Sequence, residues 1–229
     1  MKLTRNEVLE AELLREIDAS MYDGDRTQPS VSGMIYCLTK TYYKNEMAVD
    51  GFNQNTKEQT MLFITGLGLE RVLLSGRQIA EKGTTEGIQW HVDHVEIDGT
   101  NFMEIKSTRI STNKISKWDD LSEGWKRQIL AYFYSKGIVE GDLAILHLMG
   151  GYSPPFPELV CWHMEATQVE VDANWQWILN RADTYKQFVD RQEVPTAFKY
   201  NMDWECKTCS FKGLCSARSV LSNMGAKTI

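Results

Sequence analysis

The chain has 229 residues, of which 42% are hydrophobic and 24% are charged, and its formal net charge is -6 with a pI near 5.3. These values exclude a disordered chain, and no apolar stretch approaches the roughly 20 residues that a membrane helix needs. Charges are scattered through the apolar residues of the N-terminus, which is untypical of a signal peptide. We therefore expect a cytoplasmic globular protein that makes no membrane contact.

The acidic net charge argues mildly against a nucleic-acid partner, because attraction to phosphate increases with local positive charge. A metal-dependent nuclease nevertheless carries an acidic site, and its metal cancels part of that charge. A basic strip elsewhere can then hold the strand, although such a strip is also typical of an ordinary solvated face. The candidates for this strip are Lys106, Arg109, Lys114, Lys117, Lys126 and Arg127.

Apolar residues at helical spacing predict three helices in the first third of the chain. The first helix begins at the capping box that Thr4 and Glu7 form. Ser32 can cap a second helix over residues 32–43, and a third is expected over residues 56–80. The N-terminal third is therefore expected to be mainly helical.

The clearest strand pattern follows, where the runs IQWHVDHVEI and NFMEIKST flank Asp98-Gly99, a dipeptide typical of a tight hairpin. We then predict a helix over residues 119–136, strands in the runs LAILHLM and ELVCWHM, and a helix over residues 172–191. Beyond Pro195 we expect an irregular tail that holds three cysteines. This order of elements predicts an α/β fold with a central mixed β-sheet flanked by helices.

The predicted hairpin brings charged side chains together on one face. With Asp98-Gly99 as the turn, Asp93 falls opposite Glu104, and His91 falls opposite Lys106. Like charges that face each other across a sheet destabilise it, unless a divalent cation such as Mg²⁺ or Mn²⁺ binds between them. Lys106 could then orient or deprotonate a water molecule or stabilise charge on a phosphate. The alternative is an exposed hairpin in which Lys106 neutralises both acids.

Two further pairs have helical i, i+4 spacing. Gln128 and Tyr132 share one face of the helix that follows the lysine-rich loop, and Gly66 and Glu70 share one face of the third helix. The first pair adds polar groups, and the second adds a close backbone approach and a third carboxylate. Tyr132 is equally typical of a core aromatic residue, and Glu70 is equally typical of a solvated helix charge.

These motifs occur in an order that resembles the RecB-like branch of the PD-(D/E)XK nucleases. The first metal position of that family is often histidine and sometimes an acid, so Glu70 is a tolerated departure. The resemblance implies a restriction-endonuclease-like core in which Lys106 is the catalytic lysine, while Gln128 and Tyr132 orient it and the DNA. It also implies that the metal ligands are Glu70, Asp93, Glu104 and the Ile105 carbonyl.

Four of the five cysteines form a second candidate site. The tail contains Cys206-x-x-Cys209-x(5)-Cys215, and Cys37 lies near the other end of the chain. Three clustered thiolates and a distant fourth can bind zinc or a [4Fe–4S] cluster, and their spacing leaves both alternatives open. Cys161 falls in an apolar strand run and is predicted to be a buried thiol.

One N-terminal and three C-terminal cysteines around a RecB-like core resemble the iron–sulfur exonucleases. These include CRISPR-associated RecB-type nucleases, the AddB nuclease domain and viral relatives, and the segment PSVSGMIYC is similar to their entry into the first cluster helix. The resemblance implies a [4Fe–4S] cluster on Cys37, Cys206, Cys209 and Cys215. It divides the chain into an N-terminal helical segment (1–55), a nuclease core (56–195) and a cysteine tail (196–229).

The function implied is a metal-dependent DNA exonuclease, with single-stranded ends as substrate. It would act in CRISPR adaptation, recombinational repair or viral DNA processing, with protein partners in an adaptation or recombination complex. The alternatives are a DNA-binding or assembly subunit with a vestigial nuclease site, and a zinc-stabilised nuclease. Candidates for DNA contact are Arg109, Lys114 and Lys117, and candidates for base stacking are Tyr42, Tyr43, Trp118 and Trp125.

Overall fold

The structure, a computed structural model, describes residues 7–20, 28–47, 57–73, 81–95, 102–202 and 204–223. None of the helices in this part of the chain has the length and hydropathy of a transmembrane segment. The helices are α1 (Glu7–Ser20), α2 (Val31–Ile35), α3 (Leu38–Asn45), α4 (Lys57–Leu73), α5 (Glu123–Lys136), α6 (Gln168–Asp190) and α7 (Lys212–Asn223). The strands are β1 (Glu81–Thr85), β2 (Ile88–Val92), β3 (His94–Val95), β4 (Phe102–Thr108), β5 (Glu140–His147) and β6 (Glu158–Glu165).

Four strands form the central sheet in the order β3-β4-β5-β6. Strand β4 is antiparallel to β3 and parallel to β5, and β5 is antiparallel to β6. Strands β1 and β2 form a separate antiparallel pair. The predicted mixed sheet with flanking helices is therefore confirmed, and the two apolar runs predicted as strands correspond to β5 and β6.

Helices α5 and α6 contribute much of the hydrophobic core on one face of the central sheet. Phe102 of β4 meets Phe133 of α5 edge to face at 5.5 Å, and Trp175 and Ile178 of α6 are buried in the same core. Burial of an apolar side chain of this size contributes about 1.5–3 kcal/mol. Helix α5 begins after Ser122. The Ser122 hydroxyl caps the helix by accepting a hydrogen bond from the backbone N–H of Trp125.

The hairpin that carries the charged residues has the predicted register. His94 lies opposite Met103 and Val95 opposite Phe102, which is the alignment expected for a turn at Asp98-Gly99. The turn itself lies outside the described residues. The run over residues 88–97 is not one strand, because it divides between β2 and β3.

This division overturns one predicted contact. His91 belongs to β2 and lies opposite Lys82 of β1, so the prediction that it faces Lys106 is wrong. Strand β1 was not predicted because its sequence, EKGTT, is polar and lacks the apolar alternation of a half-buried strand. Because β1 and β2 pair outside the central sheet, His91 does not lie on a strand next to β4.

The second predicted helix is divided as well. Its cap is Ser30 and not Ser32, because the Ser30 hydroxyl accepts a hydrogen bond from the N–H of Gly33. Helix α2 ends at Ile35, and α3 begins two residues after Tyr36. The periodicity of the apolar side chains continues across the interruption, which explains why the sequence predicts one helix.

Backbone groups at this interruption form hydrogen bonds with side chains from the C-terminal half of the chain. The Arg181 guanidinium donates hydrogen bonds to the carbonyls of Met34 and Tyr36, the latter at 2.7 Å. The N–H of Cys37 donates to Glu205 at 2.9 Å. Because a buried backbone group without a partner is costly, these distant side chains stabilise the break.

Two predicted helix starts also change. Helix α6 begins at Gln168 because Thr167 and Glu170 form a capping box, four residues before the predicted start. Helix α5 follows a short 3-10 turn and begins four residues later than predicted. The tail predicted to be irregular contains α7, and the described part of the helix predicted over residues 56–80 is α4.

Candidate functional site

The candidate metal site lies where the chain passes from β2 to β3 and enters the central sheet. Oδ2 of Asp93 accepts a hydrogen bond of 2.8 Å from the main-chain N–H of Ile105. The carboxylate replaces the carbonyl that a longer β3 would offer, and it brings Asp93 beside Glu104 and Lys106. Because the N–H and C=O of a strand residue point to the same side, the Ile105 carbonyl also faces the Asp93 side of β4.

Glu104 and Lys106 project from the same face of β4 and form an ion pair. Glu104 is only 1% exposed, so the hairpin is not exposed at this residue, although Lys106 does pair with an acid as the alternative of an exposed hairpin expects. Burial disfavours the charged form of Lys106, but the carboxylates of Glu104 and Asp93 outweigh this effect and raise the pKa of the lysine. Lys106 is therefore a cation at neutral pH, held between two acids.

Gln128 and Tyr132 are joined by a hydrogen bond of 2.7 Å, in which the Gln128 amide donates to the Tyr132 hydroxyl. Tyr132 is buried and meets Phe102 edge to face at 6.0 Å, so it packs in the core. Burial and the negative charge of Glu104 raise the pKa of Tyr132 well above its ordinary value. The residue thus combines core packing with a neutral hydroxyl near the acidic group.

Tyr36 is a neighbour of this group that the sequence did not indicate. Burial raises the pKa of its hydroxyl; the Lys106 ammonium opposes this shift, and the carboxylates of Glu205 and Glu104 add to it. Its ring packs against Gly124 at the start of α5, where a Cβ would lie 2.8 Å from the Tyr36 ring. No local pattern could reveal this residue, because its neighbours come from distant segments.

The predicted third carboxylate, Glu70, lies in α4, and its side chain is outside the described residues. Gly66, one turn earlier, lies where α4 contacts β4, and a Cβ there would be in ordinary contact with Ser107 Oγ at 3.6 Å. Ser107 projects from the face of β4 opposite to Glu104, because side chains alternate along a strand. The assignment of Glu70 as a metal ligand stays a prediction.

The lysine-rich loop presents three of the six predicted basic residues to solvent. Arg109, Lys114 and Lys117 are exposed. In contrast, Lys126 and Arg127 are half-buried and lie within 3.1 Å and 2.9 Å of Glu123. Contact with DNA through the exposed three stays a prediction.

The aromatic residues suggested for stacking have different environments. Tyr42 and Tyr43 are buried and pack inside the protein. Trp125 is half-buried, whereas Trp118 is 37% exposed at the end of the lysine-rich loop. Of these four residues, Trp118 is thus the one most accessible to a base.

Four cysteines come together from the two ends of the chain. Burial and the neighbouring thiols of Cys37, Cys209 and Cys206 raise the pKa of Cys215 to about 11. Tyr43 of α3 stacks on Phe211 at 5.3 Å within a small apolar cluster that includes Cys215. The predicted association of the N-terminal and C-terminal cysteines is therefore seen in the fold, and this donor set suits a thiophilic metal or cluster.

Glu205 holds the backbone on both sides of this thiol group. Oε1 accepts the N–H of Cys37 at 2.9 Å, and Oε2 accepts the N–H of Met202 at 2.6 Å. The Asn201 amide donates to the sulfur of Cys206 at 3.4 Å. The sequence did not indicate Glu205 or Asn201, because one acid and one amide in a tail form no local pattern.

Cys161 is exposed, so its prediction as a buried thiol is wrong. It lies on β6, the edge strand of the central sheet, with its side chain on the same uncovered face as Leu159 and His163. The apolar run indicates a strand correctly but cannot tell which face of an edge strand is covered. Its environment therefore separates Cys161 from the four clustered cysteines.

Within the described residues, three metal-ligand side chains approach one another within 4.8 Å at one place: Glu140, His163 and Glu165. All three are exposed, and Nδ1 of His163 contacts Asp142 at 2.9 Å. Strand alternation places this group on the face of the sheet opposite to Glu104. It is therefore separate from the Asp93 and Glu104 site.

No model of a protein family matches the sequence, and no curated protein is significantly similar to it. Among solved structures, the fold is similar to that of SSO0001, with a TM-score of 0.58 and 17% identity over 92% of this chain and 97% of that chain. A phage related exonuclease from Haemophilus somnus 129PT has a TM-score of 0.47 and 12% identity over 76% and 99% of the two chains. An alkaline exonuclease (LHK-Exo) from Laribacter hongkongensis has a TM-score of 0.45 and 13% identity over 78% and 97%. The structural neighbours thus include exonucleases.

Proposed function

We propose that the protein is a Mg²⁺- or Mn²⁺-dependent deoxyribonuclease that degrades DNA from its ends, with single strands as the preferred substrate. The observation that carries this proposal is the convergence of Asp93, Glu104 and Lys106. The Asp93 carboxylate bonds the N–H of Ile105, the residue between the other two, so all three charged groups border one point of the sheet. Two acids and a lysine arranged in this way suit metal-dependent hydrolysis of a phosphodiester.

The residues that would hold the cation are Asp93, Glu104 and the Ile105 carbonyl, with Glu70 as a further candidate. These are hard oxygen donors, which Mg²⁺ and Mn²⁺ prefer. A bound divalent cation supplies Lewis-acid chemistry and offsets the charge of the two carboxylates. In its absence, Lys106 provides the countercharge to the buried Glu104.

The chain's own groups would act on the substrate phosphate. The Lys106 ammonium, which pairs with Glu104, would stabilise the negative charge that develops on the phosphate oxygens. Gln128 would hold the Tyr132 hydroxyl, which remains neutral and can orient Lys106 or the DNA. These are positioning roles, and they depend on the hydrogen bond between the two side chains.

For the four cysteines we propose a [4Fe–4S] cluster in preference to zinc. Cys37, Cys206 and Cys209 are neighbours of Cys215 in the fold. One cysteine before the nuclease core and three after it is the pattern of the iron–sulfur exonucleases that the sequence resembles, and this pattern supports the cluster. The cluster would stabilise the two chain ends, because ligation contributes directly to folding.

The same chemistry would serve CRISPR adaptation, recombinational repair or viral DNA processing, each with its own protein partners. The test of the activity is digestion of end-labelled single-stranded and double-stranded oligonucleotides by anaerobically purified protein, with Mn²⁺, Mg²⁺ or EDTA. We expect metal-dependent release of short products from single strands. Binding of DNA without cleavage under every metal condition would instead favour an assembly subunit with a vestigial site.

A further inference from the structure

A cleft of about 370 Å³ lies beside the proposed catalytic group. It is bounded by the β1–β2 pair and the start of α2, and Tyr132 forms part of its wall. Since the Tyr132 hydroxyl bonds Gln128 and lies near Glu104, the cleft adjoins the residues proposed to act on the phosphate. Its volume is near the lower end of the roughly 300–1,000 Å³ typical of small-ligand pockets.

The walls of the cleft are fixed by contacts that need no ligand. The N–H of Gln89 donates to the carbonyl of Pro29 at 2.8 Å, which joins β2 to the chain that enters α2. The indole of Trp90 lies over Gly83, where a Cβ would stand 2.3 Å from the ring, and its N–H donates to Thr85 at 2.9 Å. A preformed cleft of this kind loses little conformational entropy when it binds a ligand.

The lining of the cleft suits a polar anion. Lys82 and His91 face each other directly across β1 and β2, and both are exposed. The hydroxyls of Ser30 and Ser32 lie 3.4 Å apart at the opposite wall. Of the described residues that line the cleft, none is Asp or Glu, although the whole chain has a net charge of -6. Lys82 supplies a cationic group, and imidazole, hydroxyl and amide groups lie beside it; such groups are the usual partners of phosphates and sugars.

We propose that this cleft binds one nucleotide of the DNA strand, adjacent to the phosphate that is cleaved. Lys82 and His91 contact its phosphate, and Ser30, Ser32 and Gln89 contact its sugar or base edge. The inference rests on the proposed nuclease function and extends it, because it gives the strand a path from the catalytic group towards α2. It also assigns a role to β1, which otherwise contributes little to the core.

The test compares a Lys82→Ala/His91→Ala variant with a matched Lys186→Ala/His163→Ala control, whose two residues are exposed on α6 and β6. Binding of a fluorescein-labelled oligothymidylate is measured by anisotropy with Ca²⁺ in place of Mn²⁺, across a range of salt concentrations. We expect the cleft variant to bind several-fold more weakly than wild type. Its salt slope should fall by about 0.7 for each phosphate that its side chains no longer neutralise, while the control is unchanged.

Hydrolysis of bis(p-nitrophenyl) phosphate with Mn²⁺ separates this proposal from the activity itself, because this small diester carries no neighbouring nucleotide that could occupy the cleft. We expect the cleft variant to hydrolyse it at the wild-type rate. If wild type cleaves neither this diester nor DNA, the proposed function fails. If wild type cleaves both, and the cleft variant binds the oligonucleotide as tightly as wild type, the cleft is not a nucleotide site.

Discussion

The main-chain N–H of Cys37 donates a hydrogen bond of 2.9 Å to Oε1 of Glu205, which lies 168 residues further along the chain. The other oxygen of Glu205 accepts the N–H of Met202, so one buried carboxylate fixes the backbone beside two of the cysteine-bearing segments. The same carboxylate also contributes to the raised pKa of Tyr36, next to Cys37 in the chain. Two consecutive residues therefore connect the two groups. Cys37 belongs to the cysteine group, and Tyr36 lies near Glu104 and Lys106 of the proposed catalytic group.

Glu205→Ala should destabilise the protein by roughly 3 kcal/mol, because it leaves two buried N–H groups without their charged acceptor. The change is measured as the midpoint of thermal or urea unfolding. The control is Glu193→Ala, which removes an exposed acid and should cost less than about 0.5 kcal/mol. Equal effects of the two variants would mean that Glu205 does not hold the thiol group together.

Serine substitution of Cys37, Cys206, Cys209 or Cys215 should remove most of the iron and acid-labile sulfide and lower solubility. Each ligand contributes to the same cluster, and the cluster links both ends of the chain. Cys161→Ser is the matched control, because this cysteine is exposed on the edge strand, and it should keep full iron content. Stoichiometric zinc without sulfide in anaerobically prepared wild type would rule out the cluster.

Gln128→Ala and Tyr132→Phe should each slow DNA cleavage less than Lys106→Ala does. Both residues are proposed to position groups, and Lys106 is proposed to contact the phosphate. Tyr132→Phe keeps the ring that packs against Phe102, so its melting temperature should stay close to that of wild type. A large loss of stability in either variant would assign that residue to the core and not to the site.

Lys114→Glu combined with Lys117→Glu should weaken binding of single-stranded DNA at low salt and reduce the salt dependence of the affinity. Both lysines are exposed in the loop that follows β4. The control is Lys207→Glu with Lys212→Glu, which makes the same charge change at exposed positions near α7. If the control variant loses binding and the loop variant does not, DNA is held by the tail.

Local patterns predicted the parts of the structure that depend on neighbouring residues. The apolar alternation around Asp98-Gly99 predicted the register that pairs His94 with Met103, because hairpin register follows from turn position and side-chain alternation. The helical spacing of Gln128 and Tyr132 likewise predicted their contact. In both cases the partners lie close together along the chain.

The features that sequence analysis missed depend on distant partners. Tyr36, Arg181 and Glu205 gain their roles from segments that only the folded chain brings together. Strand β1 forms by antiparallel pairing with β2, although its own residues are polar. The exposure of Cys161 follows from its place on the uncovered face of β6, which strand propensity does not encode.

In the proposed function, the buried carboxylate of Glu104 serves a metal-dependent nuclease site. The most direct test is the single-turnover rate of cleavage of an end-labelled single-stranded oligonucleotide at saturating Mn²⁺ for wild type and Glu104→Gln. The control is Glu140→Gln, in the exposed acidic group on the other face of the sheet. We expect the Glu104→Gln rate to fall roughly a hundredfold or more, with the control unchanged. A Glu104→Gln variant that cleaves at the wild-type rate, or a control variant that is inactive, would contradict this account.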